Sequence, residues 1–283
     1  MNYLNLSETE FISSIKENRP LIMGILNITP DSFSDGGNYF NRDAAVKKAF
    51  ELLEQGADIL DIGGESTRPG AEAVSFDNEY ERVIPVIEKI LEIKPATIIS
   101  VDTTKSKIAE EALKRGAAII NDISGLTFDE EMKNVIANYN AAAVIMHIKG
   151  NPKNMQQNPE YENVTEEVYE FLIKQAEAAQ KAGVKKIIID PGIGFGKNIQ
   201  HNYELLKNLN KFALSGYPLL VGLSKKSFLG NLLNISVNER ENATIITETV
   251  AVFSGADIVR THNVSNAFQM KKIYNAVSNP EKI

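Results

Sequence analysis

Nearly every apolar run of this 283-residue sequence is followed at once by a residue that could do chemistry. Asp102 and Asp190 supply carboxylates, Asn121 supplies an amide, and Lys226 adds an amine. Together these groups can hydrogen-bond the donor and acceptor edge of a flat heterocycle, with the lysine addressing ring acceptors. The full set at these positions is Asn27, Asp61, Asp102, Asn121, His147, Asp190, Ser224, Lys226, Arg260 and His262.

A second group of residues suits an anion. Asn27, Arg260 and His262 supply donors for an oxyanion such as phosphate. Arg68 could add another donor from the glycine-flanked segment 63–70. Because Mg²⁺ usually keeps few protein ligands, Asn27 and a substrate phosphate could also hold a hard cation. The net charge of −7 argues against a general affinity for nucleic acid or anionic membranes, so a phosphate group needs this local site.

Each of these residues, taken singly, has another explanation that the sequence leaves open. Asp102 precedes Thr-Thr-Lys-Ser and could cap a following helix. Asp190 could belong to a turn, and Lys226 could be solvated. Arg260 could form a structural ion pair, and His262 could simply end a strand. Their recurrence after successive apolar runs is what favours one shared site.

Several other chemistries are poorly supported. The cluster Gly192-Ile-Gly-Phe-Gly-Lys197 lacks the spacing of a Walker loop and of a dinucleotide fingerprint. We interpret it as a loop that brings backbone and the Phe195 ring close to a planar ligand. The three histidines lack the His-Glu-x-x-His spacing of a zinc site, and no Gly-x-Ser-x-Gly elbow occurs.

The elements that must position these residues alternate along the chain. Apolar recurrence at spacings of three and four, as at Val83, Val86, Ile87 and Ile90, predicts amphipathic helices between the runs. Three segments, beginning at Gln55, Arg115 and Ser254, place a helix-ending glycine directly before an apolar run. The eight apolar runs, each followed by a helical pattern, predict one α/β domain, a (β/α)₈ TIM barrel. A doubly wound open sheet is the alternative. The predicted strands are 21–26, 58–62, 97–101, 118–120, 142–146, 186–189, 218–222 and 257–259.

Composition bounds the class of protein. Apolar residues make up 43% and charged residues 24%, which suits a folded domain with a full core. No cysteine is present, and no apolar run reaches the ~18 residues of a membrane span. The first ten residues lack the basic start and apolar centre of a signal peptide. We expect a soluble cytoplasmic protein with an N-terminal cover segment over residues 1–19 and the barrel over 20–283.

Specific motifs resemble the dihydropteroate synthase family of pterin-binding TIM barrels. They are Gly24-Ile-Leu-Asn-Ile-Thr-Pro-Asp-Ser-Phe-Ser-Asp-Gly-Gly37, Asp61-Ile-Gly-Gly-Glu-Ser-Thr-Arg-Pro-Gly70, Ser100-Val-Asp102, Asn121-Asp-Ile-Ser-Gly125, Asp190-Pro-Gly-Ile-Gly-Phe-Gly196 and Gly222-Leu-Ser-Lys-Lys-Ser-Phe-Leu-Gly230. The resemblance implies an alkyl-group transferase that joins 6-hydroxymethyl-7,8-dihydropterin diphosphate to 4-aminobenzoate and releases pyrophosphate. It also implies Mg²⁺ as cofactor, sulfonamides as inhibitors and a homodimer formed through barrel helices.

The resemblance implies three sets of site residues. The pterin would be bound by Asp102, Asn121, Asp190 and Lys226, in a pocket lined by Ile123, Met146, Gly194 and Gly222. The diphosphate would be bound by Asn27, Arg260 and His262, with Asn27 as the metal ligand. The aminobenzoate site would be bordered by Phe33, Thr67, Arg68, Pro69, Phe195 and Ser227. The catalytic residues would be Asp35, Arg68, Asp102, Lys226, Arg260 and His262.

Four positions depart from the family pattern. Lys149 and Lys225 stand where arginine is common, and Thr261 and Asn263 stand where valine and aspartate are usual. None is among the predicted catalytic residues. Two other functions stay open: a related pterin-binding barrel that transfers a methyl group from a folate to a corrinoid protein, and a silent paralogue that binds pterin as a sensor or partner.

Overall fold

The computed structural model describes residues 3–29, 38–67 and 70–282, without the side chains of 38–41 and Lys282. Within these ranges eight parallel strands form one sheet with the order β6-β5-β4-β3-β2-β1-β8-β7. A parallel bridge between Ile189 and Leu219 joins β6 to β7. The strands are β1 Leu21–Asn27, β2 Ile59–Gly63, β3 Ile99–Asp102, β4 Ile119–Asp122, β5 Ala142–Met146, β6 Lys186–Asp190, β7 Leu220–Gly222 and β8 Ile258–Thr261.

Helices separate the strands and cover the outside of the sheet. Their bounds are α1 Glu8–Glu17, α2 Asn38–Glu54, α3 Phe76–Ile93, α4 Ser106–Lys114, α5 Met132–Asn138, α6 Val164–Lys181, α7 Ile199–Lys207, α8 Leu209–Ala213, α9 Ser227–Leu233, α10 Glu241–Phe253 and α11 Val264–Ser278. The nearly closed sheet with alternating helices confirms the (β/α)₈ TIM barrel over the open sheet. None of these helices is long and apolar enough to cross a membrane.

The sequence pattern explains why strands and helices meet where they do. Nearly all strand residues are buried because the barrel interior covers one face and the helices cover the other. The repeated glycines Gly56, Gly116 and Gly255 have φ values of 104°, 100° and 109°. A residue without Cβ adopts this conformation at little cost, so each glycine ends a helix and turns the chain into the next strand.

The lower end of the barrel, where the strands begin, is closed by side chains of α1. Phe11 and Ile15 of α1 are fully buried and belong to the same apolar cluster as the inward-facing strand residues. Lys16 forms an ion pair with Asp257 at 2.6 Å. The segment before β1 therefore packs against this end, although the predicted domain boundary between residues 19 and 20 stays a prediction.

Candidate active site

The polar residues that follow the apolar runs lie together at the carboxyl ends of the strands, which form the barrel mouth. Parallel pairing sets Asn27 opposite Gly63, and Gly63 opposite Asp102. Asp102 in turn lies opposite Asn121. The registers of the remaining strands set Met146 opposite Asp190 and Gly222 opposite Arg260. Asp102 and Lys226 are consequently at the same end of the barrel, as the strand-end argument predicted.

Arg260 is the centre of a buried hydrogen-bonded web in the mouth. Its Nε donates to Asp61 Oδ2 at 2.6 Å, and its Nη2 donates to Asp102 Oδ2 at 2.7 Å. Asp61 also accepts from Ser100 Oγ at 2.6 Å and from Asn121 Nδ2 at 3.2 Å. With the Asn121 amino group used in this way, its amide oxygen is left for another donor.

This web carries more negative than positive charge. Two carboxylates share one guanidinium, and burial raises the pKa of Asp102 to about 7 although Arg260 opposes the shift. Burial alone would lower the pKa of Arg260. The neighbouring carboxylates of Asp61 and Asp102 together outweigh burial and raise that pKa above its ordinary value. A ligand that donates N–H groups or gains positive charge beside Asp102 would compensate the excess negative charge.

Asp190 and Lys226 form the second charged pair of the mouth. Burial raises the pKa of Asp190 to about 6, and the Gly192 N–H, which donates to Asp190 Oδ1 at 2.7 Å, opposes that shift. Burial likewise lowers the pKa of Lys226 to about 8, while Asp190 opposes the change. Each group therefore favours the charged form of the other.

An apolar wall borders these charges. Phe195 lies with its ring centroid 4.0 Å from Lys226 Nζ, which is a cation–π distance. A Cβ on Gly194 would come within 2.9 Å of Lys226 Cδ, so the loop backbone touches the lysine stem. The wall is one buried cluster made of Ile123, Met146, Ile148, Met155 and Phe195.

Asn27 and His262 also lie at the mouth. A Cβ on Gly63 would be 3.7 Å from Asn27 Oδ1 and 3.4 Å from Asp102 Cβ, so both side chains border this glycine. His262 is exposed, and its Nδ1 lies 3.0 Å from Ser224 Oγ.

The described residues at the mouth fit a metal ion that takes most of its ligands from substrate and water. In the described ranges no three His, Asp or Glu side chains are grouped as a metal cage. Asn27 is half-buried and offers a hard amide oxygen, which suits a cation that takes its other ligands from phosphate and water.

Two further predicted site residues lie in the loop after β2 and at the start of α9. Thr67 is half-buried on the β2–α3 loop, and Ser227 is exposed at the first turn of α9. Neither contacts the charged groups of the mouth through a hydrogen bond recorded among the described residues. The predicted residues Phe33, Asp35, Arg68 and Pro69 lie outside those residues, so their roles stay predictions.

Asp61 is the residue whose importance the motif reading missed. The sequence predicts a strand-end residue at this position without assigning it a role. It is fully buried and has three hydrogen-bond partners in the mouth. The available signal was a carboxylate set between Leu60 and Ile62 in a strand buried on both faces, because such a charge requires a partner.

Three of the four residues that depart from the family pattern make side-chain contacts outside the charged groups of the mouth. Lys225 Nζ pairs with Glu241 Oε1 at 2.8 Å, and Asn263 Nδ2 donates to Glu241 Oε2 at 3.2 Å. One carboxylate thereby joins the loops that follow β7 and β8. Lys149 Nζ lies 4.1 Å from the centroid of the Tyr161 ring, outside the charged web.

Comparison with known proteins gives a consistent result. The family model described as "Pterin binding enzyme" matches residues 23–262. Dihydropteroate synthase of Escherichia coli (strain K12) is 43% identical over 266 residues, which are 93% of this chain and 94% of that protein. The fold matches Xanthomonas albilineans dihydropteroate synthase with 4-aminobenzoic acid, with TM-score 0.86, 39% identity and coverage of 92% and 94%. It also matches the Yersinia pestis enzyme with a sulfonamide drug complex, with TM-score 0.86, 41% identity and coverage of 92% and 95%.

Proposed function

The chain belongs to the dihydropteroate synthase family of pterin-binding enzymes, and on that premise we propose how its own residues carry the reaction. The enzyme condenses 6-hydroxymethyl-7,8-dihydropterin diphosphate with 4-aminobenzoate to give 7,8-dihydropteroate and pyrophosphate. The bond from the methylene carbon to the diphosphate oxygen breaks, and its electron pair leaves with the oxygen. A new bond joins that carbon to the arylamine nitrogen, which then loses a proton.

The observation that carries the proposal is the pair of charged clusters at one barrel mouth, Arg260 with Asp61 and Asp102, and Asp190 with Lys226. Asp190 and the amide oxygen of Asn121 are placed to accept N–H bonds from the pterin ring. Lys226, whose charge is coupled to that of Asp190, donates to ring acceptors. Ile123, Met146 and Gly222 give the pocket its flat shape, and Gly194 gives the ring close access to the loop backbone.

The leaving group lies on the side of Asn27, Arg260 and His262. The guanidinium keeps one nitrogen beyond its two carboxylate contacts, so it can bind both Asp102 and an oxygen of the diphosphate. Asn27 would hold Mg²⁺ together with the diphosphate, and the metal, when bound, would stabilise the leaving negative charge. The chain's own contribution is to fix the direction in which the diphosphate leaves.

Asp102 stabilises the positive charge that develops on the pterin methylene as the diphosphate leaves. Its burial and its partner Arg260 hold the carboxylate at a fixed position before the reaction begins. The arylamine nitrogen is already nucleophilic, so the reaction requires no dedicated strong base. Phe195, Ser227 and Thr67 border the 4-aminobenzoate, together with Phe33, Arg68 and Pro69. Asp35 and Arg68 complete the catalytic set, and sulfonamides compete for the same site.

A pyrophosphate-release assay with both substrates and Mg²⁺ tests the activity. Release should require 4-aminobenzoate and fall in Asp190→Ala, but not in the matched control Glu88→Ala, whose partner Arg115 lies far from the mouth. Pterin binding without pyrophosphate release would instead indicate a silent paralogue. Methyl transfer from a folate to a corrinoid protein would indicate the methyltransferase reading.

The same proposal includes a homodimer. Ile246, Val250 and Phe253 form an apolar stripe on α10, and they are 63%, 51% and 53% exposed. Ile273 and Val277 extend this stripe onto α11. A contiguous exposed apolar patch favours association, and a second copy of this chain is the occupant that we propose.

Sedimentation velocity tests the homodimer. The wild type should sediment as a dimer, and Val250→Glu should shift it to the monomer. Leu214→Glu is the control because Leu214 is 85% exposed on a separate helix end. A wild-type monomer would contradict the homodimer. We also propose a cytoplasmic location, which cell fractionation tests.

A further inference from the structure

Lys197 ends the glycine-rich loop and has no part in the reaction described above, yet its side chain is almost completely buried. It is 2% exposed, and its Nζ lies 2.9 Å from Gly192 O, from Phe195 O and from His147 Nδ1. Burial lowers the pKa of Lys197 well below its ordinary value, and Asp190 opposes that shift. The charged and the neutral form of the amine both have enough hydrogens for the two loop carbonyls. Burial and the nearby Lys197 lower the pKa of His147 to about 2, which keeps that imidazole neutral and able to accept.

The loop held by Lys197 is pressed against the chain after β5. A Cβ on Gly192 would lie 1.9 Å from His147 O, and a Cβ on Gly196 would lie 2.6 Å from Lys149 O. The φ values of both glycines are positive, at 64° and 63°. Side chains cannot enter this space, so the close contact relies on backbone packing and on internal hydrogen bonds.

Four of the five carbonyls of residues 192–196 accept a hydrogen bond from a side chain. Lys197 serves Gly192 and Phe195, Gln156 Nε2 donates to Gly194 O at 2.8 Å, and Tyr161 Oη donates to Gly196 O at 2.7 Å. Lys197 is the only one of these donors that lies inside the loop and binds two of its carbonyls. It therefore joins two carbonyls of the turn that carries the Phe195 ring.

We propose that Lys197 is a positioning residue for pterin binding, because its hydrogen bonds to the loop carbonyls hold the Phe195 ring against Lys226. The proposal rests on the proposed function, in which Lys226 binds the pterin. Phe195 borders the 4-aminobenzoate site, but its ring also packs against Lys226 and in one cluster with the pterin-pocket residues Ile123 and Met146. Lys197 itself makes no contact with substrate in this account. Loss of its donors frees the 192–197 turn, and the ring and the ammonium group of Lys226 lose their mutual arrangement.

The chain offers a matched control at the opposite end of the barrel. Lys186 is also buried, and its Nζ donates to Tyr3 O at 2.8 Å, to Leu4 O at 3.1 Å and to Asn140 O at 2.9 Å. Lys197→Met and Lys186→Met therefore remove the same kind of group, with similar loss of thermal stability expected. Only the first should weaken the binding of 6-hydroxymethylpterin, by about 10- to 100-fold.

A double variant separates positioning from a merely structural role. If Lys197 acts through Phe195, the variant Lys197→Met with Phe195→Leu should bind 6-hydroxymethylpterin no more weakly than Phe195→Leu alone. Losses that multiply would overturn the proposal. Unchanged pterin affinity in Lys197→Met would overturn it as well. Wild-type protein that does not bind pterin would instead reject the proposed function.

A milder variant decides the question if Lys197→Met does not fold. Tyr161→Phe removes one hydroxyl that donates to the same loop at Gly196 O. We expect a smaller loss of pterin affinity, in the same direction and again absent from the Phe195→Leu background. Unchanged affinity in Tyr161→Phe would show that anchoring of this loop does not determine pterin binding.

Discussion

Arg260 on β8 donates to Asp102 on β3 at 2.7 Å, although two other strands separate them in the sheet. This contact crosses the mouth and becomes possible only when the sheet curves into a barrel. The same guanidinium binds Asp61 on β2, so three strands have their polar ends joined by one side chain. The position of Asp102 is thereby coupled to closure of the barrel.

Replacing Asp61 should show how far the site depends on this web. Asp61→Asn leaves Arg260 paired with Asp102 but removes the carboxylate that accepts from Arg260 and Asn121, so we expect a loss of about 1–3 kcal/mol in the free energy of unfolding. Pterin binding should weaken by about 1–3 kcal/mol. Asp257→Asn is the matched control, because Asp257 is equally buried but pairs with Lys16 at the opposite end. Denaturant unfolding and calorimetry with a pterin measure the two effects, and equal pterin affinity in both variants would contradict this role.

The affinity for pterin should depend on pH on both sides of neutrality. Asp190 accepts N–H bonds most strongly when it is ionised, and its raised pKa of about 6 means that affinity falls as the pH drops through that value. Lys226 loses its charge as the pH rises through about 8, which weakens its bonds to ring acceptors. Calorimetric titrations across this range should give a bell-shaped curve, with circular dichroism as the control for folding. A flat curve would refute the assignment of both groups.

Glu248, on α10 behind β8, should make the protein less stable as pH rises. Burial raises its pKa to about 8, and Thr261 beside it only partly opposes the shift. The folded state then binds more protons than the unfolded state between the ordinary pKa of 4.5 and about 8, so stability declines over that interval.

The Glu248→Gln variant tests that decline. A glutamine stays neutral at every pH, so the melting temperature of the variant should decrease much less than that of the wild type as the pH rises. Glu239→Gln changes an exposed carboxylate and should show the same dependence of melting temperature on pH as the wild type. Parallel curves for wild type and Glu248→Gln would show that Glu248 is not the titrating group.

4-Aminobenzoate or a sulfonamide should bind measurably only when pterin, pyrophosphate and Mg²⁺ are present. The predicted site for these ligands has few polar anchors, because Phe33, Pro69 and Phe195 mainly give it shape. A diphosphate contacted by Asn27 and Arg68 would favour the arrangement of this site that binds 4-aminobenzoate or a sulfonamide. Arg68→Ala should weaken this coupling more than it weakens pterin binding. Equilibrium binding of a sulfonamide with and without pyrophosphate is the measurement, and equal affinity would mean that the site is preformed.

The sequence was most informative about the strands and their ends. The predicted run 142–146 agrees with β5, and the run 58–62 differs from β2 by one residue at each end. These predictions succeed because a strand buried on both faces has an unbroken apolar run, and the register of parallel strands then brings their ends together. Asp102 and Lys226 could therefore be assigned to one mouth before any distance was known.

Side-chain partners were much harder to predict. The sequence predicts that Arg260 binds an anion, but its bonds to Asp61 and Asp102 join residues that are 199 and 158 positions apart along the chain. Neither spacing nor periodicity contains that information. The sequence likewise identifies Lys197 only as the end of a glycine-rich loop. No local pattern indicates which carbonyls its long side chain contacts.

The packing of α1 and α11 has a practical consequence for fusion proteins. A cavity of about 680 Å³ at the lower end of the barrel is lined by residues near both ends of the described chain, including Tyr3 and Asn279. Both ends thus emerge opposite the mouth. An affinity tag or reporter domain attached at either one would point away from the substrates, and even a short peptide could link the two ends into a circular permutant while the mouth stays open.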